Sequence, residues 1–232
     1  MTSLAQAAAA PHPARAGQLW AMAAGALGGT ALAVFYRTLA AGNMGVIAPI
    51  SAVLAAAIPT VFSMVTEGLP GVLPITGFLL AAAGIWLVSR PQGKLGRPDG
   101  LGMAVVCGLG FAGFFLCIHQ AGEMPPTWAA AYSRLGSLLV VGGIVLLRPG
   151  SHALTWHDAA FGMFAGCLDS SGTLFFVHSE QVGRLDAAVV ISSLYPAVTV
   201  VLARVLLREH FSRWKALGIL AALVAVPLIA LQ

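Results

Sequence analysis

Eight apolar runs, each about 20 residues long, are the feature of this sequence that most restricts its fold. They cover residues 18–41, 44–66, 70–89, 101–121, 127–148, 158–179, 185–207 and 212–231. A helix needs about 20 mostly apolar residues to cross a bilayer. A transmembrane β-strand needs only about 10 residues and alternates apolar with polar side chains, which these runs do not. We therefore predict an all-α membrane protein with about eight transmembrane helices.

The composition excludes several classes of protein. Only 9% of the residues are charged, against about a quarter in a soluble domain. The net charge of +4 comes from basic residues scattered singly between apolar runs, so a nucleic-acid partner is not expected. Neither a phosphate-binding GxxxxGK[ST] loop nor an HExxH motif occurs, and we predict no cofactor, no metal and no enzymatic activity. The three cysteines lie inside apolar runs and are interpreted as buried thiols.

The chain repeats itself after 141 residues, without gaps. The matched pairs include Gly25 with Gly166, Phe35 with Phe176, Gly42 with Gly183, Ser51 with Ser192 and Gly77 with Gly218. The first three helices thus repeat as the last three, and the two helices between them have no upstream counterpart. A five-helix repeat explains this pattern if its first copy is incomplete, and an odd helix number inverts the second copy in the membrane. The predicted division is a flexible tail over 1–17, a partial repeat over 18–90 and a full repeat over 101–232.

Small residues also coincide between the two copies of the repeat. They stand one helical turn apart, as Ala21, Gly25 and Gly29 in the first copy and as Gly162, Gly166 and Ser170 in the second. Such a stripe lets a neighbouring transmembrane helix approach closely. We therefore expect a helix to pack on each stripe.

One segment closely resembles a known family. The run from Ile191 to Arg204, which contains Ser-Ser-Leu-Tyr-Pro, resembles the fourth helix of an EamA repeat, from the drug/metabolite transporter (DMT) superfamily. The resemblance implies a multi-pass cell-membrane protein, in a bacterium the inner membrane, that exports small metabolites, amino acids or drugs, with or without proton coupling. Family members usually have ten helices, so the first two would be missing here. The alternative is a truncated or wrongly started fragment that does not transport.

The resemblance leaves the membrane orientation open. It implies cytoplasmic ends, whereas the loops that would then lie outside carry most of the lysines and arginines, against the positive-inside rule. The partners expected are the lipid bilayer, a small-molecule substrate and, for oligomerisation, a second copy forming a homodimer.

Asp169 and Arg134 are charged residues that lie well inside predicted membrane helices, where charges are costly and by default functional. Asp169 lies near the middle of the sixth helix, among Ser170, Ser171 and Thr173. It is interpreted either as a proton-coupling or substrate-binding carboxylate or as a group bonded to neighbouring helices. Arg134, in the fifth helix, has the chemistry to bind a substrate carboxylate, to pair with Asp169, or to extend towards the headgroups.

The remaining cavity candidates surround a proline. Pro196 removes a backbone hydrogen bond within the seventh helix, and a freed carbonyl is tolerated only against protein or a water-filled cavity. Ser192, Ser193 and Tyr195 are therefore predicted to line a cavity, with a simple packing kink as the alternative. Tyr36 and Trp128, near helix ends, are further candidates for the cavity, and otherwise interfacial anchors.

Overall fold

The computed structural model describes residues 14–40, 44–88, 101–147, 155–192 and 213–230. The regular structure of this part of the chain is helical, which confirms the predicted all-α membrane fold. In chain order its helices are α1 (Arg15–Ala40), α2 (Met44–Thr66), α3 (Val72–Val88), α4 (Leu101–Gln120), α5 (Pro126–Leu146), α6 (Trp156–Val182), α7 (Leu185–Ser192) and α8 (Arg213–Ala230).

The helices begin and end within three residues of the predicted runs wherever both ends are described. The predicted tail over 1–17 is too long, because α1 already begins at Arg15. Gly17 belongs to that helix and is buried, and a Cβ there would lie 3.0 Å from the carbonyl oxygen of Ala121. Packing therefore extends the helix beyond its apolar run. The run predicted over 185–207 is described only as far as Ser192.

Four helices of the described chain are long and apolar enough to cross a membrane. These spans are Arg15–Thr38, Gly102–Gln120, Pro126–Leu146 and Trp156–Val182. Two shorter apolar helices cover Ser51–Thr66 and Val72–Leu87. The chain is thus a membrane protein in contact with the lipid bilayer.

The ends of the helices follow local chemistry. Pro126 stands at the first position of α5, where its missing N–H costs nothing. Before α6, the Thr155 hydroxyl donates to the Asp158 carboxylate at 2.7 Å, and the Asp158 N–H donates back to the Thr155 oxygen at 3.3 Å. This reciprocal pair caps the first turn of α6. Gly68 and Gly122, in turns after α2 and α4, have φ of 88° and 68°, a conformation that glycine adopts without strain.

The chain divides into two compact units that do not follow the predicted boundary between repeats. Unit 1 comprises Met1–Ala33 and Gly113–Val182, and unit 2 comprises Val34–Ala112 and Gly183–Gln232. Each unit therefore combines residues from the first and the second predicted repeat. Whether the second copy is inverted stays a prediction.

Unit 1 is held together by close contact between α1 and α5. A Cβ added at Gly25 would lie 2.8 Å from the Cα of Ser133, and one added at Gly136 would lie 2.9 Å from the Cα of Met22. The two backbones therefore touch, as the small-residue stripe of α1 predicts. The second stripe differs, because a Cβ added at Gly162 or Gly166 in α6 would meet nothing within 4 Å. Within the described residues, the neighbour expected for the stripe of α6 is absent.

Farther along α6, the helix packs on aromatic side chains of α4. The rings of Phe115 and Phe176 are 4.9 Å apart, and Phe114 lies 6.4 Å from Phe176. Thr173, Phe176 and Val177 are the buried residues of α6. The packed part of this helix therefore begins just after Asp169.

Unit 2 has an apolar core of its own, to which four helices contribute. Its members are buried side chains of α2, α3, α7 and α8, namely Ala52, Phe78, Ala81, Ile85, Val190 and Ala225. The small side chains among them let these helices approach closely.

Candidate functional site

Arg134 and Asp169 lie together in unit 1, so pairing between them, one of the predicted alternatives, is observed. An Nη of Arg134 donates to a carboxylate oxygen of Asp169. The other Nη donates to the Thr173 hydroxyl at 2.6 Å and to the main-chain oxygen of Asp169 at 3.1 Å. One guanidinium from α5 thus binds three oxygen atoms of α6.

The spacing of residues in α6 explains how a single arginine reaches all three oxygens. Asp169 and Thr173 are one turn apart, so their side chains lie on the same face. Thr173 also donates its hydroxyl to the carbonyl of Asp169 at 3.1 Å, a local bond that fixes the hydroxyl where Arg134 meets it. Ser171 instead bonds to the carbonyl of Cys167 at 2.9 Å and does not contribute to this group.

The charged pair is incompletely enclosed. The Arg134 side chain is 37% exposed and that of Asp169 is 56% exposed. The Nε of Arg134 is nevertheless buried, and no partner for it is found among the described residues. The guanidinium therefore retains its Nε–H as a donor after binding α6.

A shallow groove of about 720 Å³ runs along α5 from Arg134. Its lining is mostly apolar and consists of Arg134, Ser137, Leu138, Val141, Gly142, Val145 and Leu146. Ligand sites in proteins are typically apolar with a few polar groups that fix orientation. The groove has this character, with the guanidinium as its charged end.

The other predicted site residues belong to different parts of the chain. Trp128 stacks on Tyr132, with ring centroids 5.9 Å apart, near the start of α5. Tyr36 is 62% exposed and belongs to unit 2, as does Ser192, the last residue of α7. The candidates Ser193, Tyr195 and Pro196 lie outside the described residues, and their role stays a prediction.

Two polar clusters were not predicted from the sequence. In unit 1, Nδ1 of His119 lies 2.6 Å from Oε1 of Glu180. In unit 2, Arg184 donates to the Asp186 carboxylate at 3.1 Å and to the carbonyl of Gly68 at 2.7 Å. Both clusters join residues of different helices or turns, which no local pattern reveals.

Within the described residues, no three His, Cys, Asp or Glu side chains are placed to hold a metal ion together. The chemistry of the site is therefore that of a guanidinium, a carboxylate and a hydroxyl. Such a group can bind an acceptor on a ligand and exchange ion-pair partners.

Comparison with known proteins gives a family match and a fold match. The family model described as EamA-like transporter family matches residues 99–231, which include α4 to α8. A solved structure titled "Crystal structure of protein" is 15% identical in sequence, with a TM-score of 0.71 over 99% of this chain and 81% of its own. At that identity the likeness concerns the fold alone. No curated protein matches the chain.

Proposed function

Because this chain belongs to the EamA-like transporter family, a transporter family of the DMT superfamily, we propose that it is a secondary transporter with its substrate site at Arg134 and Asp169. The expected direction is export, and the expected cargo is a small metabolite, an amino acid or a drug. The observation that carries the proposal is the Arg134–Asp169 pair in the middle of membrane-spanning helices. The cell membrane, in a bacterium the inner membrane, is the proposed location.

Arg134 is proposed to bind an acceptor group of the substrate. Its Nε has a hydrogen that no described residue accepts, and buried donors normally have partners. A carboxylate or carbonyl oxygen of a substrate in the groove would satisfy it. Since arginine binds carboxylates with two parallel hydrogen bonds, such a substrate would compete with Asp169 for the guanidinium.

Asp169 is proposed to couple this exchange to a proton. A substrate that displaces Asp169 from Arg134 would separate this carboxylate from its guanidinium, and Asp169 would exchange that ion pair for a proton because an unpaired charge inside the membrane is costly. Proton uptake would then leave the protonated carboxyl neutral and the substrate bound to arginine. Thr173 would keep the guanidinium in place during the exchange, because its hydroxyl binds Arg134 independently of the Asp169 carboxylate.

The proposal is tested by transport in reconstituted vesicles. A comparison of metabolites exported by cells with and without the protein supplies the substrates, and vesicles with an imposed pH gradient then measure their flux. We expect Asp169→Asn to uncouple flux from the pH gradient and Arg134→Lys to raise the substrate concentration needed for half-maximal flux. Thr173→Val should also raise the substrate concentration needed for half-maximal flux, but by less than Arg134→Lys, because it removes one hydrogen bond and no charge.

Glu123→Gln is the matched control, since it neutralises an exposed carboxylate in the turn between α4 and α5. Its flux should equal that of the wild type. If transport by Asp169→Asn stays fully dependent on the proton gradient, Asp169 does not couple transport to protons. If transport is unchanged in both Arg134→Lys and Arg134→Ala, Arg134 does not bind the substrate.

A further inference from the structure

The groove on α5 is a long apolar strip with a charged group at one end. Beyond Arg134 it is lined by Ser137, Leu138, Val141, Gly142, Val145 and Leu146. These positions recur every three or four residues, so they form one face of the helix. From Arg134 to Leu146 the helix advances by about 18 Å. A ligand that fills the groove is therefore extended, and only one of its ends meets a charge.

The wall of the groove offers little polarity beyond Arg134. The Oγ of Ser137 lies where a Cβ on Gly29 of α1 would stand, so this hydroxyl faces α1. Leu138 and Leu146 are 68% and 87% exposed among the described residues. The groove thus matches a ligand with one polar group and a long apolar part.

The bond between Arg134 and Asp169 leaves room for a better carboxylate partner. One Nη of Arg134 donates to the Asp169 carboxylate, while the other donates to the Thr173 hydroxyl and to the main-chain oxygen of Asp169. Guanidinium–carboxylate pairs are strongest when two parallel hydrogen bonds join them. Once Asp169 has moved away, a ligand carboxylate can bind the Nε–H, which no described residue accepts, together with an Nη–H. The charge at this end of the groove therefore favours an acid.

The depth of Arg134 in its helix restricts where this acid comes from. Along the membrane span Pro126–Leu146, Arg134 lies about 12 Å from the start and about 18 Å from the end. The phosphate of a phospholipid stays at the edge of a hydrocarbon layer that is about 30 Å thick, and it does not reach this depth. A hydrophilic ligand as long as the groove would press polar groups against Leu138 and Val141, where they find no hydrogen-bond partner. A free acid with an apolar chain meets neither objection.

We infer that the groove binds a long-chain carboxylic acid, with its carboxylate on Arg134 and its chain along α5 towards Leu146. The ligand carboxylate takes the place of the Asp169 carboxylate on the guanidinium, and no covalent bond forms or breaks. This inference rests on the proposed substrate site at Arg134 and Asp169, and it narrows the cargo to amphipathic acids.

Photolabelling of the full chain in nanodiscs of zwitterionic phospholipid tests the inference. The probe is hexadecanoic acid with a photoreactive diazirine near the end of its chain, and mass spectrometry locates the attached label. We expect labelling of residues 141–146 that an excess of hexadecanoic acid removes. Hexadecanol has the same chain without the charge and should not remove it. Phosphatidylglycerol added to the nanodiscs should not remove it either.

Two neighbouring glycines of α5 provide a matched pair of variants. Gly142 lines the groove, and a Cβ there would lie 4.0 Å from the side chain of Leu138. Gly143 is not part of the lining, and a Cβ there would meet nothing within 4 Å. Gly142→Phe should therefore lose the labelling of the groove, because the ring occupies the path of the chain. Gly143→Phe should keep it.

Changes of charge test the polar end of the groove. Asp169→Asn removes the competing carboxylate, so the acid should bind up to about fivefold more tightly, which corresponds to the roughly 1 kcal/mol that an exposed ion pair contributes at most. Arg134→Gln combined with Asp169→Asn leaves no unpaired charge behind, and it should lose the labelling that hexadecanoic acid removes. Weaker binding to Asp169→Asn than to the wild type overturns the inference, because a cationic ligand would behave in that way.

Three further results overturn the inference. They are removal of the label by hexadecanol, which indicates an apolar surface only; removal by phosphatidylglycerol, which indicates a membrane lipid as the occupant; and labelling that persists in Gly142→Phe. None of these measurements records flux. Vesicles that transport other substrates without labelling of the groove contradict this inference alone, and labelling without any transport contradicts the proposed function alone.

Discussion

Gly25 and Gly166 occupy equivalent positions of the internal repeat, yet we expect opposite effects when each is changed to alanine. At Gly25 the new methyl group would lie 2.8 Å from the Cα of Ser133 and closer still to its carbonyl. At Gly166 it would meet nothing within 4 Å. The pair therefore separates the intrinsic effect of alanine in a helix from the effect of a helix contact.

The expected magnitudes follow from these surroundings. Alanine favours a helix over glycine by up to about 1 kcal/mol, and Gly166→Ala should realise part of that gain. In Gly25→Ala the obstacle is backbone, which no rotamer change removes, so α1 must move away from α5. Overpacking typically costs about 1–3 kcal/mol, and the movement would also unpack Ala21 and Ala24, which are fully buried in α1. We expect the two variants to differ by about 3 kcal/mol in unfolding free energy.

Thermal unfolding in detergent, followed by tryptophan fluorescence, measures the difference. About 3 kcal/mol corresponds to roughly 6–12 °C in Tm for a chain of this size. Gly136→Ala perturbs the same interface from α5. The double variant with Gly25→Ala should lose less unfolding free energy than the two single variants combined, because the helices need to separate only once. An unchanged Tm for Gly25→Ala, or an equal loss for Gly166→Ala, would refute the reasoning.

Two further predictions concern a buried ion pair and the cysteines. Arg184→Ala should lower the unfolding free energy by about 3 kcal/mol, because it removes the positive charge that Arg184 places against the fully buried Asp186 carboxylate. Chemical denaturation measures the loss, and a second change of Asp186 to Asn should restore much of it. The interpretation of the cysteines as buried thiols is confirmed for Cys107 and Cys117 and is wrong for Cys167, which is exposed. A membrane-impermeant maleimide should therefore label Cys167 alone in the native protein if water reaches that face of α6, and labelling only after denaturation would contradict a wet face.

The helices were predictable because bilayer thickness imposes a length on each apolar run. Their ends were predictable because glycine, proline and charged residues interrupt those runs. The start of α1 was not, since Gly17 lies close to Ala121 and Met124 in the turn after α4, and nothing in the composition of this segment indicates that contact.

The site was predictable in part, for a similar reason. Charges inside a membrane span are rare enough that Arg134 and Asp169 stand out, and pairing was one of the few ways to accommodate them. His119 and Glu180 lie near helix ends, where charged and titratable residues are ordinary, so neither of them stands out in the sequence. They are 61 residues apart in the chain. Their contact depends on how α4 and α6 pack, which one sequence does not encode locally.

The stripe of small residues on α6 lies beside the Arg134–Asp169 pair, and the two features have a common explanation. Asp169 directly precedes Ser170, the third member of the stripe, and no described residue covers the surface at Gly162 and Gly166. A carboxylate facing lipid at the centre of a bilayer costs roughly 2.5–3.5 kcal/mol. Arg134 neutralises that charge but leaves Asp169 56% exposed, so pairing alone does not remove the cost. Water or a polar ligand on this face would remove it. We therefore propose that the two similar stripes have different uses, a helix contact in α1 and access to the candidate site in α6.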